Sequence, residues 1–273
     1  MFNLFSKSED QIVARPQSSK FELMNGGIQS IDDPKHCYHS GVYDWFSYDD
    51  RATYESNIKK QSSDWQWRHR PVKYTVNSQH YRCPEWDQIN WNNSVLLLGC
   101  SMVFGLGLND DETLGAILER KLGVTVINLG VSGASAMFQW MNTTKLIEQR
   151  VNPIRVIYIW PHHFRVSEIY GPIEHRTCGR WNFKTHDLSK AWSDRDHHSL
   201  EYVKLCIDST TQQWKCPTNH YTFCLDTNTY LPQMHRFSFN DYIDYSRDTS
   251  HPGPKTIEMW ADKITNDIKS ENK

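Results

Sequence analysis

The chain of 273 residues is nearly neutral, with 30 Lys and Arg against 32 Asp and Glu and a formal net charge of −2. This balance disfavours a nucleic-acid partner and gives no attraction to an anionic membrane surface. Residues 1–15 contain only short apolar runs, so neither a signal peptide nor a membrane span is predicted. The seven cysteines are odd in number and irregularly spaced, which favours reduced thiols in a cytoplasmic compartment.

The first third of the chain differs in composition from the rest. Residues 1–40 show no sustained period and are predicted to form an irregular arm. Residues 41–91 interleave many Trp and Tyr side chains with charges, which predicts an aromatic-rich layer packed on the main domain. An aromatic platform for a sugar or another flat ligand is the alternative. We therefore divide the chain into an N-terminal extension, residues 1–91, and a main domain, residues 92–273.

In the main domain, short apolar runs alternate with helical stripes. Short apolar runs bounded by turn residues are typical of buried parallel strands, and the first stripe begins after a capping box at Asn109 and Glu112. The alternation predicts a three-layer α/β/α sandwich of the flavodoxin-like type, with a mostly parallel sheet in which the first three strands are neighbours. The predicted strands are Ser94–Leu98, Val124–Asn128, Arg155–Trp160 and His220–Leu225, and the predicted helices cover 111–122, 134–150, Leu200–Trp214 and Pro254–Lys269.

Two segments carry residues suited to acyl transfer. Ser101 follows Gly99 at the predicted turn from the first strand to a helix, and a late loop holds Asp248 and His251 three residues apart. Acyl transfer needs a serine that loses its proton as it attacks, an imidazole held in one tautomer, and donors that face the developing oxyanion. Ligands of open α/β sheets bind at the carboxyl ends of the strands, so we expect these side chains to meet there.

The same segments resemble the sequence blocks of the SGNH (GDSL-type) hydrolase superfamily, over roughly residues 94–270. The first block, Gly-Asp-Ser with a later glycine, is similar to Gly99-Cys100-Ser101 and Gly105. The second block, Asn-x-Gly, is similar to Asn128-Leu129-Gly130, and the last, Asp-x-x-His, to Asp248-Thr249-Ser250-His251. The resemblance implies that Ser101 is the nucleophile, that His251 is its base and Asp248 orients His251. It also implies that the N–H groups of Ser101 and Gly130 line the oxyanion hole.

Two positions depart from the superfamily pattern. Cys100 stands where the family has an aspartate beside the nucleophile, and we expect a buried, inert thiol there, although a reactive thiolate at the helix start is the alternative. The third block, Gly-x-Asn-Asp, is expected after the third strand, where the chain reads Trp160-Pro161-His162-His163. His162 takes the place of the oxyanion-hole asparagine. An imidazole N–H can donate the same hydrogen bond, so His162 is predicted to be a substitute donor.

No cofactor or metal is predicted. Cys216, His220 and Cys224 are evenly spaced, but Pro217 and a strand-like sequence between them argue against one ligand face, and no Cys-x-x-Cys pair is present. Gly105-Leu106-Gly107 lacks the third glycine of a dinucleotide fingerprint, and no phosphate-binding Gly-Lys-Ser/Thr loop occurs.

The sequence therefore predicts a serine esterase or deacylase that hydrolyses a small acyl ester, such as an acylated carbohydrate, through a Ser-His-Asp triad. An O-acyltransferase that uses the same three residues is one alternative. A catalytically silent binding or structural module of the same fold is another. The sequence carries no signal for an oligomeric state.

Overall fold

The computed structural model describes residues 21–24, 40–169, 175–178, 196–222, 234–237 and 241–271. Most of the arm predicted over residues 1–40 lies outside these ranges. The strands are β1 (Gly41–Tyr43), β2 (Tyr74–Val76), β3 (Ser94–Gly99), β4 (Thr125–Gly130), β5 (Arg155–Trp160), β6 (Val166–Ile169), β7 (His175–Cys178), β8 (Thr218–Thr222) and β9 (His235–Arg236). The α-helices are α1 (Arg51–Lys60), α2 (Ser101–Phe104), α3 (Leu114–Leu122), α4 (Ala136–Glu148), α5 (Asp196–Gln213) and α6 (Pro254–Glu271).

The main sheet of the described residues is parallel throughout, with the order β4-β3-β5-β8-β9. The first three strands predicted from the sequence are neighbours, with Gly99 of β3 opposite Gly130 of β4 and Ile159 of β5. Every residue of β3 and β5 is buried, as expected of strands covered on both faces. The prediction of an α/β fold with a mostly parallel sheet is confirmed.

Helices flank this sheet in two packed pairs. α3 packs against α6, where Lys121 forms ion pairs with Glu258 and Asp262. α4 packs against α5, where the indole N–H of Trp140 donates to the Ser209 hydroxyl at 2.9 Å. The three-layer arrangement places the carboxyl ends of β3, β4 and β5 along one edge of the sheet.

Several element boundaries differ from the predicted ones. The helix predicted over 111–122 is split, because Thr113 has an extended backbone conformation between a 3-10 turn, Asp110–Glu112, and α3. The predicted capping box at Asn109 and Glu112 is present and caps that short turn. β4 extends to Gly130 beyond its predicted end, and the fourth predicted strand begins earlier, at Thr218. Residues 223–225 of that predicted strand lie outside the described residues.

The described part of the N-terminal extension shares one hydrophobic core with the sheet. Trp67, Tyr74 and Tyr81 are fully buried in this core. The Arg82 guanidinium is also buried, and it donates to the carbonyl oxygens of Gly105 at 2.7 Å and Leu108 at 3.0 Å, just beyond α2. These aromatic residues therefore pack on the main domain. The division of the chain at residue 91 stays a prediction.

Within the described ranges, no helix is long and apolar enough to cross a bilayer.

Candidate active site

Ser101 is the first residue of the four-residue helix α2, directly after β3. The turn needs Gly99, because a Cβ there would lie 2.3 Å from Cγ2 of Val103. Gly105 ends the helix in the left-handed conformation, with φ of 79°. Ser101 is thus held at the carboxyl edge of the sheet, as the sequence predicted for the strand-to-helix turn.

The loop that carries Asp248 and His251 folds around one carboxylate oxygen. Oδ1 of Asp248 accepts hydrogen bonds from the Ser246 hydroxyl at 2.7 Å, the Ser250 N–H at 2.9 Å and the His251 N–H at 3.0 Å. Thr249 between them is in the left-handed region, with φ of 62°. This conformation is unfavourable for a β-branched residue, so the loop is held in shape by its contacts.

The side chains of Ser101, His251 and Asp248 form one continuous hydrogen-bonded chain. Nε2 of His251 lies 2.8 Å from Oγ of Ser101, and Nδ1 lies 2.5 Å from Oδ2 of Asp248. An ionised carboxylate can only accept, so Nδ1 carries the proton and Nε2 is left to accept from the serine hydroxyl. The structure thus brings the three predicted side chains together in the order that proton transfer requires. Their catalytic roles stay predictions.

The charge state of Asp248 is set by opposing effects. Burial by itself raises the pKa of Asp248, but the hydrogen bond and charge of His251, with the N–H groups of Ser250 and His251, lower that pKa to about 2. Asp248 is therefore ionised at neutral pH. A buried carboxylate in this state stabilises a cation formed on the neighbouring imidazole.

Gly130 does not match its predicted role. Its N–H donates to Oδ1 of Asn128 at 3.0 Å, so this donor is already engaged within the described residues. A Cβ at Gly130 would lie 2.4 Å from the backbone nitrogen of Phe104. Gly130 therefore allows β4 to approach α2 closely, and the prediction that its N–H lines an oxyanion hole is corrected. Sequence reasoning assigned a donor role to a residue whose contacts are those of a packing glycine.

His162 follows β5 at the same edge of the sheet as Ser101. Its ring is partly buried and stacks on Phe164, with ring centroids 4.6 Å apart and planes inclined by 17°. His163, which is 1% exposed, also contacts this ring, at 4.9 Å. Because β3 and β5 are neighbours, Ser101 and His162 follow adjacent strands of the sheet. The role of His162 as an oxyanion donor stays a prediction.

The cysteine alternatives have simpler structural explanations. Cys100 is 1% exposed, which confirms the expected buried thiol. His220 accepts from the indole N–H of Trp160 at 3.0 Å and stacks on Tyr158. Cys224 lies outside the described residues, and no group of three His, Cys, Asp or Glu side chains within them is arranged to hold a metal.

Sequence reasoning missed a second set of polar residues behind the loop. Arg247, next to Asp248, forms a buried ion pair with Asp49 of the N-terminal extension. The two residues are 198 positions apart, and no spacing or motif links them. The one available signal was an arginine inside the Asp-x-x-His loop region, which by itself indicates an exposed charge as readily as a buried one.

Comparisons with known proteins give only distant likenesses. No protein-family model matches the sequence, and no curated protein matches it. A lipolytic protein of the G-D-S-L family from Desulfitobacterium hafniense is similar in structure, with 13% identity and a TM-score of 0.36 over 64% of this chain and 99% of that one.

Two esterase structures have similarly low identities and TM-scores. An acetyl xylan esterase from Butyrivibrio proteoclasticus has 10% identity and a TM-score of 0.42, over 75% of this chain and 68% of that one. A family two carbohydrate esterase from Clostridium thermocellum, solved with cellohexaose, has 13% identity and a TM-score of 0.40 over 66% of this chain. The match spans 64% of that esterase, less than two thirds of its length. These likenesses are too distant to assign a function to this chain.

Proposed function

We propose that the protein is a serine esterase or deacylase of the SGNH type, which hydrolyses a small acyl ester. The observation that carries this proposal is the hydrogen-bonded chain from Ser101 through His251 to Asp248, at 2.8 and 2.5 Å. It lies at the carboxyl edge of a parallel sheet, where open α/β folds bind ligands. The motifs around these residues support the same class of chemistry.

In the proposed reaction, Oγ of Ser101 attacks the ester carbonyl carbon while Nε2 of His251 takes the hydroxyl proton. The tetrahedral intermediate then collapses, the bond to the alcohol oxygen breaks, and Nε2 returns the proton to the leaving alcohol. Asp248 stabilises the imidazolium during both steps. Nε2 then takes a proton from water, whose oxygen attacks the acyl-serine carbonyl and forms a second tetrahedral intermediate. When this intermediate collapses, the bond to Oγ breaks, Nε2 returns the proton to Oγ of Ser101, and the carboxylic acid is released.

The oxyanion needs donors other than the engaged N–H of Gly130. The first N–H groups of a helix have no acceptor within it, so the N–H of Ser101 is the first proposed donor. The turn after β4 is the proposed source of a second. Its Val131 N–H donates to Gly99 O at 3.1 Å, which fixes the turn beside the start of α2, and Gly133 within it has φ of 79°. The side chain of His162 is the proposed third donor.

The proposal is tested by labelling and turnover with the intact protein. A fluorophosphonate probe, followed by peptide mapping, is expected to modify Ser101, and p-nitrophenyl acetate is expected to be hydrolysed. Ser101→Ala should lower kcat by about 10⁴-fold or more, because a triad without its nucleophile retains little rate. The matched control is Ser94→Ala, a buried serine at the opposite end of the same strand, which should keep the activity.

The outcomes separate the alternatives. Folded protein that is neither labelled nor active would contradict the esterase and favour the silent binding module. If labelling occurs, added butanol separates hydrolase from acyltransferase. Butyl acetate as the main product, at low alcohol concentration, would indicate transfer, whereas acetate as the main product supports the hydrolase.

A further inference from the structure

A buried ion pair connects the N-terminal extension to the loop that carries Asp248 and His251. Asp49 is 0% exposed and Arg247 is 3% exposed. Nε of Arg247 lies 3.0 Å from Oδ1 of Asp49, and Nη2 lies 2.7 Å from Oδ2. The guanidinium therefore binds the carboxylate through two parallel hydrogen bonds, which restrict the orientation of both groups as well as their distance.

Further contacts hold each partner of this pair. The Arg247 guanidinium lies over the Trp45 ring, 4.1 Å from its centroid, and also donates to the carbonyl oxygen of Asp44 at 2.5 Å. The Tyr74 hydroxyl donates to Asp49 and accepts from the Gly107 N–H at 2.8 Å. Burial raises the pKa of Asp49, while the hydrogen bond and charge of Arg247 oppose that shift.

The backbone of the loop is held by the same part of the chain. The Arg247 N–H donates to the carbonyl oxygen of Gly107 at 3.1 Å, and the Trp67 indole N–H donates to that of Tyr245 at 2.9 Å. Gly107 leaves no room for a side chain, because a Cβ there would lie 2.4 Å from Oγ of Ser246. The chain on the N-terminal side of Asp248 is thus fixed at several successive residues.

Such fixation matters because the site depends on one narrow geometry. The left-handed Thr249 next to Asp248 is strained and would relax if its surroundings loosened. A shift of about 1 Å in a positioned group can cost about 10²-fold in rate. Burial is the main cause that raises the pKa of Asp49, and the charge of Asp248 adds a smaller effect in the same direction.

We propose that Arg247 and Asp49 are positioning residues, which together with Tyr74 hold Asp248 against Nδ1 of His251. The proposal rests on the proposed function, since it assigns these residues to the same reaction. They touch neither substrate nor the reacting atoms, and they act through the backbone between Arg247 and Asp248. Asp49 and Tyr74, which belong to the N-terminal extension, thereby contribute to the geometry that the reaction needs.

The test uses Asp49→Asn, Arg247→Lys and Tyr74→Phe in the full chain. Each variant keeps most of the side-chain volume and removes one interaction. Asp49→Asn removes the carboxylate charge, Arg247→Lys removes the bidentate hydrogen bonding, and Tyr74→Phe removes the hydroxyl. We expect Asp49→Asn and Arg247→Lys to lower kcat for p-nitrophenyl acetate by about 10- to 100-fold with KM changed by less than about 3-fold. Tyr74→Phe, the mildest change, should lower kcat by about 3- to 10-fold.

A second readout reports the geometry without turnover. The ¹⁵N shifts of the His251 ring, assigned by their loss in His251→Gln, give the tautomer. The unchanged protein should show protonated Nδ1 and bare Nε2, and Asp49→Asn should show a mixture of both tautomers. If the unchanged protein is inactive and unlabelled but this tautomer change occurs, the proposed function fails while the positioning role stands.

The matched control is Arg155→Lys. Arg155 is also a buried arginine, paired with Glu271 at 2.6 Å, but it begins β5 at the opposite end of the sheet. The Arg155→Lys variant should have a lower thermal stability but an unchanged kcat and an unchanged His251 tautomer. If Asp49→Asn and Arg247→Lys behave like this control, losing stability alone, the ion pair is merely structural and the proposal is overturned. If both fail to fold, an unchanged kcat and tautomer in Tyr74→Phe overturns it.

Discussion

At the scale of single residues, His162 is a proposed oxyanion donor that acts through its side chain, so its role depends on the identity of the residue. Its ring packs against the rings of Phe164 and His163, with centroids 4.6 and 4.9 Å away, and these contacts restrict its orientation. A preorganised N–H donor stabilises an oxyanion because it needs no reorientation during the reaction. A histidine can serve as this donor only if one of its ring nitrogens carries a proton and points at the oxyanion.

We therefore expect His162→Ala to lower kcat for p-nitrophenyl acetate by about 10²-fold, the typical cost of one oxyanion donor. His162→Asn restores an N–H donor and should keep or raise kcat. The control is His235→Ala, a partly exposed histidine in β9, which should leave kcat unchanged. Steady-state kinetics with thermal melting as a stability check measures these effects. Equal kcat in all three variants would contradict a role for His162 in the oxyanion hole.

At the scale of elements, the contact between β4 and α2 decides where Ser101 stands. Gly130 and Gly99 are opposite each other at the ends of neighbouring strands, and both face the short helix. Asn128 adds a second connection, because its side-chain N–H donates to the Val103 carbonyl at 2.9 Å while its oxygen accepts from Gly130. The position of Ser101 thus depends on two glycines, Gly99 and Gly130, which allow the ends of β3 and β4 to lie close to α2.

We expect Gly130→Ala to destabilise the fold by about 3 kcal/mol, because the added methyl meets the Phe104 backbone nitrogen and cannot be relieved by a rotamer change. Gly123→Ala is the matched control. It has open space around its Cβ position but a φ of 69°, so backbone strain alone should cost about 1 kcal/mol. Urea unfolding of both variants gives the comparison. A loss in Gly130→Ala no larger than in Gly123→Ala would show that α2 moves aside easily.

At the scale of the whole molecule, the pH dependence of stability includes a contribution from His220. Its ring stacks on Tyr158 and Trp160, with Nδ1 accepting from the Trp160 indole. Burial lowers the pKa of His220 from 6.5 to about 4. The unfolded chain therefore binds this proton below pH 6.5, whereas the folded protein resists it until about pH 4. The contribution of the neutral His220 ring to stability is complete above pH 6.5, the pKa of the unfolded chain. It declines as the pH falls toward about 4, the pKa in the folded protein.

The predicted consequence concerns His220→Phe, which keeps the stacking but cannot be protonated. Unfolding by urea at neutral pH and at about pH 5 should show the advantage of the unchanged protein over this variant shrinking by about 2 kcal/mol. Trp214→Phe is the control, because it removes a hydrogen bond to Tyr158 without changing a titrating histidine. Its deficit should stay constant over the same range. A His220→Phe deficit that is also constant would contradict the lowered pKa.

Much of the main domain could be predicted because its signals are local. The runs that form β3 and β5 are apolar enough to be buried on both faces, and the capping box at Asn109 and Glu112 lies within four residues. β4 extends beyond its predicted end at Asn128, because Leu129 and Gly130 continue the pairing with Leu98 and Gly99 of β3. The break at Thr113 was missed because its side chain caps α3 instead of continuing the preceding turn.

The sequence by itself determined the strand-to-helix turn at Ser101 and the Asp248–His251 loop, since both depend on residues close together in the chain. Tertiary structure alone decided that the Asn128 side chain meets the Val103 carbonyl, 25 positions away, and that Arg247 pairs with Asp49 from 198 positions away. The physical reason is that a polar group's partner is whichever complementary group packing leaves within hydrogen-bond distance. A short motif records which groups exist, and only the folded chain determines which of them meet.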